Sequence, residues 1–232
     1  MKKVGFTLAE VLIVLGIIGV VAALTIPALI TNYKAIQLHS RFKKSYSTLS
    51  QVMKLAQEDD VVFEEYSYGS PNRLDLVNTF KKYLTGVVDC SLQKNKQLKT
   101  CLMITYGHKD DYKYGYKSLK STEPDLTNQS LFDDGELLLQ DGSLLFFNAD
   151  GAMVGVSVDI NGILSPPNRW GYDLFTFQIV NGNLIPAGAQ GAKYTDKNTY
   201  CSLTSNNKMN GIGCAAYANN LDYFKWIVRN VK

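Results

Sequence analysis

The chain has 232 residues, of which 46% are apolar and 19% are charged, which is enough for one domain of ordinary size and one additional element. The net charge of +3 conceals an acidic middle, because residues 121–190 contain nine Asp and Glu and only Arg169 as a base. This asymmetry favours a soluble surface, although it can also pair neighbouring copies or attract a cation. The chain contains no GxSxG, HExxH, Walker or dinucleotide-binding motif, so we predict that it is not an enzyme.

The first predicted element is a membrane-spanning helix. From Phe6 to Ile30 there are 25 residues with Glu10 as the single charge. At about 1.5 Å per residue this helix is about 38 Å long, which is enough to cross a bilayer. A secretory signal peptide has a shorter apolar core, so a transmembrane anchor fits better, with Glu10 as the one exception. Lys2 and Lys3 precede the segment, and the positive-inside rule therefore predicts a cytoplasmic N-terminus.

The first ten residues, MKKVGFTLAE, carry a family resemblance. They resemble the precursors of type IV pilins and type II secretion pseudopilins. In that family a short basic leader ends in Gly and is followed by Phe, Thr, Leu and a Glu four residues beyond the Phe. Ala9 replaces the larger aliphatic residue that is most common there. The resemblance covers roughly residues 1–57, and the remaining region is only loosely similar.

The resemblance implies how the chain is processed and used. A prepilin peptidase is expected to cleave between Gly5 and Phe6, after which the Phe6 amine is N-methylated. The product is expected to be a structural subunit of a type II secretion pseudopilus or a type IV pilus. Its expected partners are the peptidase, related subunits, the assembly platform of the inner membrane and the lipid bilayer. Its expected location is the inner membrane and then a periplasmic or extracellular filament. The alternative is a minor subunit at the filament tip whose head binds cargo, a surface or DNA.

Glu10 needs a partner, because a deep and unpaired carboxylate in an apolar helix costs up to about 3 kcal/mol. In lipid it lies near the positive end of the helix dipole and can reach the cytoplasmic interface. In a filament we expect it to pair with the Phe6 amine of an adjacent subunit. Any other axial register would leave a buried charge unpaired.

Two residues predict a weak section within the same helix. Pro27 lacks the N–H of one intrahelical hydrogen bond and clashes with the preceding turn, which predicts a kink. The family resemblance implies that the stretch from Gly19 to Pro27 bends or melts when the subunit leaves the bilayer. The other interpretation is that membrane helices simply contain more Gly and Pro than soluble ones.

The helix is predicted to continue to residue 57 as an amphipathic stalk. Its apolar positions recur every three or four residues, with Ser45 as the one polar interruption. They are Ala35, Leu38, Phe42, Leu49, Val52 and Ala56. A stalk that packs this stripe against a sheet explains the pattern more simply than a lipid-surface or calmodulin-like role for its basic face. The acidic residues 58–60 should end the helix, and a shorter helix is predicted over 72–85.

Four cysteines form two local pairs, Cys90 with Cys101 and Cys201 with Cys214. Neither pair has CxxC spacing, and the chain has only two histidines to complete a zinc site. We therefore predict two short disulfide loops, each worth about 3 kcal/mol. Disulfides require an oxidising compartment, which agrees with the outward orientation predicted from the lysines. Four free buried thiols remain the alternative.

Residues 106–117 interleave basic and aromatic side chains, a pattern that can bind nucleic acid by charge and stacking. Asp110 and Asp111 dilute the charge. We therefore favour a solvated loop or a contact between subunits and do not expect a nucleic-acid partner.

Residues 136–186 predict an antiparallel meander of four or five strands. Apolar runs at 136–140, 143–148, 152–160, 173–180 and 183–185 are separated by Asp-Gly or Asn-Gly pairs or by a longer loop. Such pairs favour type I′ turns. The fold class is therefore α+β, with the long helix packed on an antiparallel sheet that is followed by a C-terminal disulfide loop. We divide the chain into a leader (1–5), membrane helix (6–30), stalk (31–57), connecting region (58–130) and sheet with disulfide region (131–232).

Four oxygen-bearing side chains cluster near two loops of this sheet and form a candidate calcium site. They are Asp159, Asn161, Asn168 and Asp173. Calcium prefers oxygen ligands, and some major pseudopilins bind it in a loop of the sheet region. The spacing is not that of an EF-hand, and an ordinary Asn-Gly turn is the favoured alternative.

Overall fold

The computed structural model shows one long helix joined to an antiparallel sheet. It describes residues 5, 7–63, 75–92, 98–101, 116–122, 131–149 and 153–231. The helices are α1 (Leu8–Glu58), α2 (Asp75–Tyr83), α3 (Lys197–Tyr200) and α4 (Leu221–Asn230), with a 3₁₀ helix at Ile212–Ala216. The strands are β1 (Val88–Asp89), β2 (Glu136–Leu138), β3 (Leu144–Asn148), β4 (Gly155–Asp159), β5 (Leu174–Val180) and β6 (Asn183–Pro186). This is the α+β fold that the sequence predicts.

The outer half of α1 is amphipathic, as its sequence period predicts. The six predicted apolar positions and Ser45 are buried, and Met53 joins them. The helix ends at Glu58, where Asp59 caps it and Asp60 turns the chain with a φ of 56°. The stalk prediction is therefore confirmed. In α2, Leu76, Val77 and Phe80 are buried, while residues 72–74 of the predicted helix lie outside the described residues.

The six strands lie in chain order and each pairs antiparallel with the next. The five predicted strands correspond to β2–β6, and the short β1 adds an edge from the connecting region. Both faces of the sheet are covered by other parts of the chain. Leu145 and Phe147 of β3 belong to the cluster on the α1 side, whereas Leu144 and Phe146 belong to a second cluster on the opposite face. Because both faces are buried, β3 is apolar at successive positions instead of alternating.

The two described tight turns differ in type. At Asn181-Gly182 both residues have positive φ, 50° and 75°, so the predicted type I′ turn is confirmed. At Asp141-Gly142 only Gly142 has a positive φ, so the type I′ prediction is wrong there. Leu139 N–H donates to the Ser143 carbonyl at 2.9 Å and the loop is one residue longer. The Asp141 carboxylate accepts from Ser143 and pairs with Lys44 at 2.7 Å, which favours this longer loop. The Asp150-Gly151 pair lies outside the described residues.

The C-terminal helix α4 was not predicted from the sequence, and it packs against α1. Asn220 caps its first turn by accepting a hydrogen bond from the Asp222 N–H at 2.9 Å. At one end His39 Nε2 lies 2.9 Å from the Asn219 carbonyl oxygen. At the other end Arg229 Nη2 lies 3.5 Å from Asn32 Oδ1. α4 therefore runs antiparallel to α1, back toward the membrane-spanning half.

Phe42 lies where α1, the sheet and α4 meet. Its ring centroid is 4.8 Å from Phe175, 5.9 Å from Phe177 and 6.0 Å from Phe224. Only 1% of its surface is exposed. Aromatic pairs at these distances add to the energy of burial. One side chain thus joins the stalk to both elements that cover it.

Phe42→Ala should lower the free energy of unfolding by about 3–5 kcal/mol, because it opens a cavity between three elements. Urea unfolding of the full chain in detergent, followed by near-ultraviolet circular dichroism, measures this change. Ile36→Ala is the matched control on the same helix, since Ile36 is 53% exposed. The control substitution should lower the free energy of unfolding by about 0.5 kcal/mol or less. Equal losses in the two variants would contradict the central position of Phe42.

Candidate functional site

The N-terminal turn of α1 is closed by a reciprocal capping interaction. Thr7 Oγ1 accepts from the Glu10 N–H at 3.2 Å, and Glu10 Oε2 accepts from the Thr7 N–H and hydroxyl, each at 2.7 Å. This capping box satisfies two N–H groups that have no partner within the helix. It also gives the Glu10 carboxylate two donors from its own chain. The predicted cleavage bond follows Gly5, while Phe6 lies outside the described residues.

The first half of α1 presents apolar side chains on every face and buries none of them within the chain. Leu8 is 80% exposed and Leu24 is 75% exposed. Among the described residues, α1 is the one helix that is long and apolar enough to cross a membrane. In the apolar half and at its outer end, two threonine hydroxyls donate back to main-chain carbonyls, Thr25 to Val21 at 2.9 Å and Thr31 to Pro27 at 2.8 Å. A helix that is apolar all round, with its hydroxyls satisfied internally, fits a lipid environment.

The predicted weak section is helical in this structure. α1 continues without interruption through Gly19 and Pro27. A Cβ atom added at Gly16 or Gly19 would meet nothing within 4 Å, so packing inside the chain does not require glycine at either position. Melting of this stretch when the chain leaves the bilayer stays a prediction.

One family model matches this segment. It is described as the prokaryotic N-terminal methylation motif, and it covers residues 2–26. The chain carries a prepilin-type N-terminal segment. This motif implies processing by a peptidase and assembly into pilin filaments. No curated protein and no solved structure matches the chain. The matched residues end before the head, which we define as residues 31–232.

Two disulfides join the cysteine pairs that the sequence predicts. Cys90 is bonded to Cys101 beside β1, and Cys201 is bonded to Cys214 in the 3₁₀ helix. The second disulfide packs against Gly171, where φ is 77° and an added Cβ would lie 2.9 Å from Cys214 Sγ. Gly171 is therefore required both by its backbone conformation and by this close approach. The bond closes the C-terminal loop between Cys201 and Cys214, and its Cys214 end packs against the β4–β5 connection at Gly171.

The structure brings together the candidate calcium ligands around a pair of buried carboxylates. Asp159 ends β4 and Asp173 precedes β5, and neither is exposed. Asp159 accepts from the Asn161 and Gly162 N–H groups at 3.1 and 2.8 Å. Asp173 accepts from the Asn168 and Arg169 N–H groups at 3.0 and 2.6 Å. Both carboxylates thus hold the two ends of the β4–β5 loop.

The charges of this pair are only partly compensated. Burial, and after it the neighbouring Asp159 charge, raise the pKa of Asp173 to about 8, against the hydrogen bonds from the Arg169 and Asn168 N–H groups, which lower it. Burial raises the pKa of Asp159 to about 6, against the hydrogen bond from the Tyr116 hydroxyl and the nearby Arg41 charge, which lower it. Tyr116 and Arg41 are partners that sequence reasoning missed, because they lie 43 and more residues away in the chain. Arg169 is close, but its Nη1 donates to the carbonyls of residues 118, 119 and 121.

Two further oxygens of the predicted set have no hydrogen-bond partner among the described residues. Asn161 Oδ1 and Asn168 Oδ1 are both inaccessible to solvent. Their amide nitrogens donate to main-chain carbonyls in the same loop, Asn168 to Ile163 at 2.8 Å and Asn161 to Ser165. A buried acceptor without a donor lowers the stability of the fold. These oxygens therefore need a cation, a water molecule or a flip of the side-chain amide that exchanges its oxygen and nitrogen.

The basic and aromatic segment is described only at its end. Tyr116 is 2% exposed and donates to Asp159 at 2.7 Å, so it is part of the core and cannot stack on a nucleic-acid base. Lys117 pairs with Arg169 through an isolated bridge between backbones. Residues 106–115 lie outside the described residues.

The buried carboxylates predict a pH dependence of stability. Both pKa values are raised above the ordinary value of 3.8, so the folded state binds protons more tightly than the unfolded chain. In the absence of divalent cations, the free energy of unfolding should fall by several kcal/mol as pH rises from about 4.5 to 8, because each group loses its proton in the folded state only near its raised pKa.

Asp159→Asn should make the free energy of unfolding depend less on pH. The substitution removes one charge from the pair and still places an amide beside the Tyr116 hydroxyl. Urea unfolding at several pH values in the presence of a chelator measures the slope. Asp75→Asn, which changes an exposed carboxylate at the start of α2, should leave the slope as it is. A wild-type slope of the opposite sign would show that the pair is ionised and stabilising in the fold.

Proposed function

We propose that this chain is a structural subunit of a type II secretion pseudopilus or a type IV pilus, assembled from a precursor in the inner membrane. The observation that carries the proposal is the methylation motif at residues 2–26, which leads into an uninterrupted 51-residue helix. The motif supplies the processing signal. The bare apolar half of the helix supplies a segment that needs lipid before assembly and other subunits after it. This role is structural and requires no catalytic site.

Charge and redox chemistry support one orientation. Lys2 and Lys3 favour a cytoplasmic N-terminus. The disulfides of the head favour an oxidising compartment on the other side of the membrane. In the proposed sequence of events, the peptidase removes residues 1–5 and an assembly platform then moves the subunit from the bilayer into the filament.

The capping geometry gives Glu10 two successive partners in this scheme. In the precursor the carboxylate bonds to Thr7 of its own chain. Cleavage after Gly5 would place a charged amine on Phe6, one residue from that cap. In a filament the amine of an adjacent subunit can approach the same carboxylate, and a buried pair of opposite charges would set the axial register.

Glu10→Ala and Glu10→Gln separate the charge from the hydrogen bonds. Both variants should insert and be processed, and both should give much lower filament yield than wild type, because neither can neutralise an amine. Glu10→Gln keeps an oxygen that can accept from Thr7. Immunoblots of sheared filaments and of the membrane fraction measure the two outcomes.

Glu58→Ala is the matched control, since it removes an exposed carboxylate at the opposite end of α1 and should assemble normally. If Glu10→Gln assembles normally and Glu10→Ala does not, the capping hydrogen bonds matter for assembly and the charge does not. Normal assembly of Glu10→Ala would contradict both roles.

A surface pocket favours the alternative of a head that binds a partner at the tip. Its volume is about 720 Å³, and it lies between the C-terminal disulfide loop and α4. Lys197, Tyr217, Asn220 and Trp226 are among the residues that line it. Cryo-electron microscopy of filaments distinguishes the two roles, because a shaft subunit repeats along the filament and a tip subunit does not.

We also propose that calcium completes the buried carboxylate pair. All donors of the set are oxygens, which suits calcium. Two carboxylates with raised pKa values and two carboxamide oxygens without partners support the proposal. A bound divalent cation would favour the ionised form of both carboxylates and would hold the β4–β5 loop.

Calcium should raise the thermal unfolding temperature of the wild-type chain at pH 8 and have little effect at pH 4.5, where protons compete for both carboxylates. Differential scanning fluorimetry with about 5 mM calcium, magnesium or chelator tests this, since extracellular sites bind calcium with dissociation constants of about 0.1–1 mM. Asp159→Asn should lose the response and Asp75→Asn should keep it. An unchanged unfolding temperature at pH 8, with no heat of binding by titration calorimetry, would remove calcium from the account.

A further inference from the structure

The contact between Arg229 and Asn32 shows how close the end of α4 lies to the apolar segment of α1. Asn32 is two residues beyond the apolar segment that ends at Ile30, a rise of about 3 Å along the helix. Arg229 Nη2 is 3.5 Å from Asn32 Oδ1. The headgroup region extends about 5–8 Å beyond the hydrocarbon on each side of a bilayer. Arg229 therefore lies at headgroup depth whenever the apolar half of α1 spans the membrane.

The length of α1 supports this position. If Glu10 lies at one interface, Asn32 is 22 residues away, or about 33 Å along the helix. The hydrocarbon core is about 30 Å thick. If one membrane–water interface lies at Glu10, the other therefore lies beside Asn32. The helix then has little freedom to shift along the membrane normal.

The base of the head is basic. We define it as residues 32–34 together with the last turn of α4, residues 227–231. Lys34 and Arg229 are both exposed there, and α1 has no acidic residue between 31 and 57. The one acidic residue of α4, Asp222, lies at its opposite end and pairs with Lys225 at 3.0 Å. The buried Asp173 is adjacent in sequence to Tyr172, whose ring lies under Lys34, but it is not exposed.

Aromatic side chains near this surface are of the kind found at membrane interfaces. Tyr33 is 66% exposed. Lys34 Nζ lies 5.3 Å from the centre of the Tyr172 ring, and Trp226 is half-buried one turn before Arg229. Tyr and Trp are enriched where a membrane meets water, because one end of each ring is apolar and the other is polar.

We propose that the base of the head binds the phosphate groups of anionic phospholipids in the bilayer that holds α1. The inference rests on the membrane anchoring in the proposed function, and adds a second contact between chain and membrane. Each basic residue close to an anionic surface contributes attraction that decays within a Debye length. The contact holds α4 and the stalk upright before assembly. It is lost when the subunit leaves the bilayer, so lipid composition biases that step.

Hydrogen exchange of the full chain in vesicles tests the proposal. Amides of residues 226–231 are compared in pure phosphatidylcholine and in vesicles with roughly 30% phosphatidylglycerol, where exchange should be about three- to tenfold slower. The protection should disappear in about 0.5 M salt, because salt screens attraction between exposed charges. The amides of β5 serve as the internal reference for an intact fold.

The double variant Lys34→Gln and Arg229→Gln should lose the lipid-dependent protection while β5 stays protected. The matched control, Lys54→Gln with Lys82→Gln, removes one exposed lysine from the far end of the stalk and one from α2 beside it, and should keep the lipid-dependent protection. Equal exchange in the two kinds of vesicle, or protection that persists in the first double variant, would overturn the proposal and leave the anchoring intact. Failure of the chain to float with vesicles after an alkaline wash would overturn the anchoring as well.

Discussion

One helix has to satisfy two environments, and the rest of the structure depends on how α1 does so. Its outer half has a single apolar stripe, which the sheet and α4 cover around Phe42. Its inner half is apolar on all faces, and no described residue of the chain covers it. Because the helix is continuous, the packing of the stripe also determines how far the head lies from the membrane. The position of α4 beside Asn32 follows from that packing.

Carboxylates lie in an apolar setting at two places that bear on the proposed function. Glu10 is held by Thr7 at the helix start, where the unpaired N–H groups favour a negative charge. Asp159 and Asp173 are held by main-chain N–H groups at the ends of the β4–β5 loop. In both places the hydrogen bonds come from within the chain, but the charge is left for something else to balance. An amine from a neighbour suits Glu10, and a cation suits the aspartate pair.

The features that could be predicted from the sequence are those with a local cause. The stalk stripe repeats at the helical period, and the Asn181-Gly182 turn needs only its own two residues. The type I′ prediction failed at Asp141-Gly142, where the loop is longer and the Asp141 carboxylate accepts from Ser143 and pairs with Lys44, 97 residues earlier. α4 was missed although its sequence carries local signals, namely the Asn220 cap and the apolar residues Phe224 and Ile227 at helical spacing. The Tyr116 hydroxyl donates to Asp159 across 43 residues of the chain, so the four candidate calcium ligands were predicted without the groups that set their charge.

The most direct test of the central claim is the mass of the chain after expression with and without a prepilin peptidase. The account predicts a precursor that loses residues 1–5 only when the peptidase is present, and a mature N-terminus at Phe6 that carries one methyl group. Tandem mass spectrometry of the N-terminal peptide identifies both changes. A chain that keeps its leader in the presence of the peptidase, or that is cleaved after Ala22 or Ala23 as a secretory signal would be, would contradict the account.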